Sequence, residues 1–433
     1  MSASTIFARA SGQGRCGVAV FRISGPLAGQ TLEKLTGNLP KPRFAKRVFV
    51  RSRQGELIDD GLALWFPAPN SFTGEDVVEL QLHGSPAVEA RLSDELIALG
   101  LEPAGPGAFT TRAFANGKLD LTQAEGLADL LEAETLLQHR QAMAHYRGSL
   151  RDQADQWRAD LVRAMAKLDA AVDFPDEEDV PGEIAAGAQP FVESVRASIA
   201  ETVASFSRTR RVSDGVKVAL LGPPNAGKST LFNALVREDR AIVSDEAGTT
   251  RDIVSHRVEI GGHLVTFLDM AGVRDETASA VESQGIERAR SAAKDADLRL
   301  LCFPAGKDPL PEWLAAHSRE GDIVVRTKAD LVQASDSEAV SVHSPETIER
   351  LHGKLVAHLN EVAAPGLAAT ERQQALLLRA LDELDRFEHV AQIAPEMGAE
   401  ALRAASTRLE ELTGRIAPDD ILDDIFSSFC IGK

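Results

Sequence analysis

The chain has 433 residues, too many for a single core, so about three domains are expected. Its 47 basic and 65 acidic residues give a formal net charge of −18, which excludes a general nucleic-acid coat, because neutralising phosphates requires basic surface. No apolar run approaches the roughly 18 residues of a membrane helix. Met1 to Phe7 lack the basic and apolar regions of a signal peptide. Three widely spaced cysteines, Cys16, Cys302 and Cys430, fit neither a disulfide framework nor a zinc site. The expected location is a reducing cytoplasm, with no membrane partner.

In chain order, residues 1–118 alternate short apolar runs with Gly/Pro turns and read as a small α+β domain. Ala19 to Ile23 and Val77 to Leu82 are predicted strands, and Ala87 to Leu99 a helix. Residues 41–53 hold Lys41, Arg43, Lys46, Arg47, Arg51 and Arg53 without an acid, and read either as a solvated strand pair or as an RNA contact. From Leu121 to Val172 the period turns helical. Leu150, Trp157, Leu161, Met165, Leu168 and Val172 form one face, which predicts bundle core. An acidic loop, 173–179, ends this stretch and reads as solvated surface.

Strand and helix signals alternate over 212–364, which predicts a parallel sheet. Val216 to Leu221 is a strand, and Thr230 to Leu235 opens a helix. Between them Gly222-Pro-Pro-Asn-Ala-Gly-Lys-Ser229 matches the phosphate loop at Gly222, Gly227, Lys228 and Ser229. Its backbone N–H groups converge on phosphate oxygens, Lys228 reaches the terminal phosphates, and the Ser229 hydroxyl is placed to ligate Mg²⁺. The D-x-x-G element is Asp269, Met270, Ala271 and Gly272, with Asp269 acting through the Mg²⁺ shell. Ala247, Gly248 and Thr249 lie where a first switch belongs, and Thr250 is the expected second Mg²⁺ ligand. Thr327, Lys328, Ala329 and Asp330 resemble the guanine-reading N-K-x-D, in which the aspartate accepts two hydrogen bonds that adenine cannot donate. The nucleotide is therefore GTP. Thr327 replaces the usual Asn, and one hydroxyl proton ties the loop less firmly than an amide; weaker affinity with preserved base choice is expected. Ser341 and Val342 are candidates for the last base-contacting loop. Val273 cannot orient water, so the catalytic group comes from elsewhere. Asn225 belongs to a loop type whose carboxamide helps hold a monovalent cation, which supplies the charge of an arginine finger.

Helical periodicity returns after 365. Leu377, Leu381, Leu384 and Phe387 share a face, as do Leu402, Ala405, Leu409 and Leu412, with Gly414 as a C-cap. The simplest organisation is multidomain α/β plus α. An α+β domain (1–118) precedes an all-α domain (119–211 and 365–433) split by an inserted Ras-like P-loop GTPase domain (212–364).

These motifs, with Phe21 to Gly25, Pro69 to Asp76, Asp173 to Glu178 and the terminal Phe429-Cys-Ile-Gly-Lys433, resemble the MnmE (TrmE) family of tRNA-modification GTPases over essentially the whole chain. The resemblance implies that the N-terminal domain binds folate and dimerises, giving a homodimer. It implies a complex with the FAD- and NADH-dependent protein MnmG (GidA). The pair builds an aminomethyl or carboxymethylaminomethyl group on C5 of the wobble uridine of certain tRNAs. The one-carbon unit comes from a tetrahydrofolate derivative, 5-formyl- or 5,10-methylene-tetrahydrofolate. Folate contacts would be Arg22, Glu79, Lys118 and Lys433. K⁺ would be held by Asn225, Ser244, Glu246 and Thr249. Glu282 would orient the attacking water, and Arg251 and Arg274 are switch residues. The nucleotide contacts so implied are Asn225, Ala226, Gly227, Lys228, Ser229, Thr230, Ser244, Asp245, Glu246, Ala247, Gly248, Thr249, Thr250, Asp269 to Gly272, Lys328 and Asp330. Cys430 is either a thiolate nucleophile or a buried small hydrophobe. A regulatory switch of ribosome-assembly type and a folate-binding scaffold with weak GTPase activity are the alternative functions. The N-terminal domain and the Cys-Ile-Gly-Lys tail argue against the first, and Thr327 keeps the second open. Which tRNAs are modified, and whether ammonium or glycine supplies the amine, is not encoded in any motif.

Overall fold

The computed structural model describes residues 4–173, 187–223, 225–238, 256–268, 294, 296–306, 310, 312–315, 318–332, 339–391, 394–416, 419–427 and 429–433. The chain divides into two compact units. One comprises 1–128, 151–155 and 407–433, the other 129–150 and 156–406.

The first unit is built on a six-stranded sheet. In chain order its strands are β1 (Ile6–Arg9), β2 (Cys16–Ser24), β3 (Lys46–Arg51), β4 (Leu57–Phe66), β5 (Val77–Gly84) and β6 (Glu102–Pro103). They lie in the order β3-β4-β5-β2-β1-β6, antiparallel except for β1 and β6. The period-2 alternation sends Phe21, Ile23, Val48, Val50, Leu80 and Leu82 to one face. There they pack on Leu32 and Leu35 of α1 (Ala28–Thr36) and Leu92 and Leu96 of α2 (Pro86–Ala98). Ser85 caps α2 by accepting from the Ala87 N–H. The intervening residues, among them Arg22 and Glu79, face the other way. α3 (Ala108–Ala115) follows, and the chain's last residues return to it. Ile431 bridges Pro106, and the Phe109 N–H donates to the Lys433 oxygen at 3.1 Å.

The basic stretch 41–53 forms edge strand β3 and its flanks, and its cations are mostly engaged nearby. Arg47 pairs with Asp60, Arg53 with Glu95, Lys46 donates to Asn38 and Arg51 to the Gly55 carbonyl. The strand pair expected of this stretch is thus present, with exposed cations.

In the second unit the expected helical faces are buried. Leu150, Trp157, Leu161 and Leu168 are at most 1% exposed, as are Leu377, Leu384, Phe387, Leu402 and Ala405. Met165 and Leu381 are half-buried. The helix Pro395–Thr413 stops before Gly414, whose φ of 78° is the left-handed C-cap read from the sequence. A 26-residue helix, Gln189–Asp214, leads through Gly215 into β7 (Val216–Leu221).

The second sheet adds β8 (His256–Ile260), β9 (His263–Leu268), β10 (Leu298–Pro304) and β11 (Ile323–Thr327), in the order β11-β10-β7-β9-β8. β7, β9, β10 and β11 are parallel, as expected, but β8 is antiparallel to β9. The purely parallel expectation fails at this edge because Gly261 and Gly262, at φ 57° and 88°, form a two-residue hairpin turn with both residues left-handed. No helix among the described residues is long and apolar enough to cross a membrane.

Candidate functional site

The phosphate loop leaves the C-terminal end of β7 and enters the helix Lys228–Glu238, as the sequence requires. A Cβ on Gly222 would lie 2.0 Å from the Cys302 carbonyl of β10, so no larger residue fits there. The Lys228 ammonium is mostly buried and curls back to donate to the carbonyls of Gly222 at 2.8 Å and Pro223 at 3.0 Å. Burial lowers its pKa, because the charged form has lost water and its acceptors among the described residues are neutral carbonyls. That is the chemistry of a cradle built for anionic oxygens. Beneath it the Cys302 thiol is fully buried and pushed up to about 12. Ser229 and Thr230 occupy the first turn of the helix, Ala226 is buried, and Asn225 is exposed with a left-handed backbone at φ 59°.

The base-reading segment stands beside this loop. A Cβ on Gly227 would lie 3.7 Å from Thr327 and 3.8 Å from Lys328, so both residues lie against the phosphate loop. The Thr327 hydroxyl sits between two carbonyls, Ala226 in the phosphate loop and Phe303 at 3.2 Å in β10. Its one proton serves one of them at a time. Lys328 adopts φ 57° and starts a single 3-10 turn, Ala329–Leu331. Asp330 accepts from the Ser341 hydroxyl at 2.9 Å. That bond, followed by its own backbone N–H, holds the carboxyl below the usual carboxylate range. Ser341 is thus brought to the reading carboxylate, where the sequence offered it only as a candidate. Ser244 to Arg251, Asp269 to Arg274 and Glu282 lie outside the described residues.

A second candidate site lies in the first unit. A cavity of about 420 Å³ is lined by Arg43, Phe66, Asn70, Ser71, Phe72, Val77 and Glu79. Glu79 lies opposite Arg22 across β5 and β2, and Arg22 donates to its Oε1 from Nε at 3.1 Å and Nη2 at 2.9 Å. The Arg22 guanidinium is held between Phe72 and Phe109, 5.5 and 5.7 Å from their centroids. Lys433 is near enough to feel both charges. Its pKa is lowered, first by burial and then by Arg22, against an opposing pull from Glu79. Lys118 lies at Gly74, in the loop that carries Ser71 and Phe72. Of the four expected folate contacts, three are therefore brought together, Glu79 lines the cavity, and Lys118 is placed at that loop. Cys430 is exposed, which excludes the packing role. Sequence reasoning named Arg43 only within the basic stretch 41–53 and did not single out Phe66. The aromatic pair Phe66 and Phe72, flanking a carboxylate strand, was the available signal.

A glycine-edged phosphate loop between a strand and a helix on a mostly parallel sheet defines a P-loop nucleotide-binding protein. Two family models match the chain: the GTP-binding protein TrmE N-terminus over residues 5–118 and the MnmE helical domain over 121–430. The chain belongs to the MnmE (TrmE) family. It is 43% identical to the tRNA modification GTPase MnmE of Bradyrhizobium sp. strain ORS 278, over 99% of both chains. It is 45% identical to that of Paracoccus denitrificans, over 99% of this chain and 100% of the other. Among solved structures, the G domain of the T. maritima FeoB iron transporter aligns at 25% identity with a TM-score of 0.25, over 33% of this chain and 98% of that one.

Proposed function

We propose that this chain is a GTP hydrolase acting in tRNA modification. The observation that carries the reading is the likeness, over 99% of both chains, to a relative bearing that activity in its name. Asp330, which accepts from Ser341 and is held below the usual carboxylate range, supports guanine as the base. Bound GTP would supply the phosphoanhydride whose cleavage drives the cycle. Lys228, now resting on loop carbonyls, would meet the phosphate oxygens. Ser229 and Thr250 would hold Mg²⁺. Asn225, Ser244, Glu246 and Thr249 would hold K⁺, with Glu282 positioning water and Arg274 available to stabilise charge. The donor set fits: a buried ammonium with no anionic partner among the described residues and an exposed carboxamide on a left-handed turn.

The finer reading extends to folate. Glu79, anchored by Arg22, suits the paired N–H donors of a pterin ring, and the nearby cations suit carboxylates. The TrmE-type N-terminal domain would hold a tetrahydrofolate derivative and form the homodimer. The nucleotide domain would be inserted in the helical one, which agrees with a helical-domain match spanning 121–430. With the flavin-dependent MnmG, the chain would build the substituent on C5 of the wobble uridine, in the cytoplasm. Mass spectrometry of wobble uridines from cells lacking the protein tests this. Loss of the C5 substituent, restored by the wild-type gene but not by Glu282→Ala, is expected. Unchanged uridines would refute the assignment. Cys430→Ser separates chemistry from scaffold: loss of modification with intact GTP turnover marks a reactive thiol.

A further inference from the structure

Among the described residues, three that are not glycine have a left-handed backbone: Arg43 at φ 65°, Asn225 at 59° and Lys328 at 57°. Such backbones cost free energy and collect where function holds them in place. Asn225 and Lys328 frame the nucleotide site. Arg43 is the third, and it lines the cavity of the other unit.

Of the basic residues in 41–53, Arg43 is the one among those lining the cavity. Arg47 and Arg53 pair with Asp60 and Glu95, whereas Arg43 makes no ion pair among the described residues. Its N–H donates to the Trp65 carbonyl at 2.9 Å, which fixes the turn. Its guanidinium donates to the Asn70 carbonyl and lies over the Phe66 ring, 5.5 Å from the centroid. A carbonyl and a ring orient a guanidinium without neutralising it. Across the sheet, Phe66 pairs with Val77 and Leu64 with Glu79. Phe66, over which Arg43 lies, is thus two residues along β4 from the partner of Glu79, and both charged residues line the one cavity. Glu79 has its Oε1 taken up by Arg22. The same cavity therefore offers an acceptor for a flat, donor-rich ring and a planar fork for a carboxylate.

We propose that Arg43 binds the carboxylate-bearing tail of a reduced pteridine whose ring is held at Glu79. This rests on the folate reading above and adds to it the residue that reads the tail. The left-handed turn presents the guanidinium at the cavity wall.

The test uses the full-length protein, calorimetry, and two probes: 5-formyltetrahydrofolate, which has a glutamyl tail, and 6-methyltetrahydropterin, which has none. In Arg43→Gly, binding of the first should weaken about tenfold or more, the worth of a charge-assisted hydrogen bond, with the second unchanged. The thermal midpoint should hold or rise, since glycine accepts the backbone without strain. Arg43→Lys should keep part of the preference for the tailed probe. Equal weakening of both probes would make Arg43 a piece of cavity wall and overturn the proposal, as would no weakening of either. A wild-type protein that binds neither probe would remove the folate reading itself, and this inference with it.

Discussion

The phosphate loop and the cavity of the first unit both place charged side chains at a candidate site, with opposite economies of sequence. In the first, one contiguous loop supplies the cradle: Gly222, Lys228 and Ser229 lie within eight residues. In the second, Arg22, Arg43, Phe66, Phe72 and Glu79 come from separate strands and loops and meet only through strand register. The electrostatics differ as well. Lys228 is a buried cation facing neutral carbonyls, incomplete without an anion. Arg22 and Glu79 already neutralise each other, at 15% and 21% exposure. A site assembled from a local motif can leave its charge unpaired because the loop geometry is fixed by backbone. Where the site is assembled across strands, the facing pair Arg22 and Glu79 keep each other's orientation.

The sharpest way to break this contrast is Lys228→Met, which should abolish GTP turnover and the rise in melting temperature on adding GDP. The sign for the empty protein runs the other way. Folding lowers the pKa of Lys228, so the folded state disfavours its proton. The resulting cost is present below the folded pKa and disappears as pH rises above the unfolded value. Losing the ammonium should therefore leave the nucleotide-free midpoint unchanged or higher. Glu79→Gln should behave in reverse. It strands the Arg22 guanidinium and should lower stability by about 1–3 kcal/mol in chemical denaturation, with GDP affinity intact.

Much of the first site was legible because its chemistry is local in the chain. Val216 to Leu221, the loop and the following helix lie where the spacing put them. The cavity was legible only in part. Glu79 and Arg22 came from family resemblance, and no periodicity announces that residue 43 turns left-handed over Phe66. The edge strand β8 was missed for a related reason. Its Gly261-Gly262 turn is a local signal, but the alternation of strands and helices around it outweighed it.

Smaller effects sharpen the nucleotide half of the contrast. Thr327→Asn would give the loop a second donor in place of one shared proton, and should tighten GDP binding by about 1 kcal/mol, roughly fivefold. Titration with a fluorescent GDP analogue would show it. Ser341→Ala removes the main cause of the lowered Asp330 pKa. GDP binding requires the ionised carboxylate, so the acid limb of its pH profile should move to higher pH in the variant, with little change at neutral pH.

The most direct measurement of the central claim is turnover of GTP and of xanthosine triphosphate, at equal concentrations in K⁺ and Mg²⁺, by the wild type and by Asp330→Asn. A guanine site predicts that the wild type prefers GTP and that the variant reverses the preference, because the amide matches the xanthine edge. No preference in the wild type, or an unchanged preference in the variant, would contradict the assignment of this pocket to GTP.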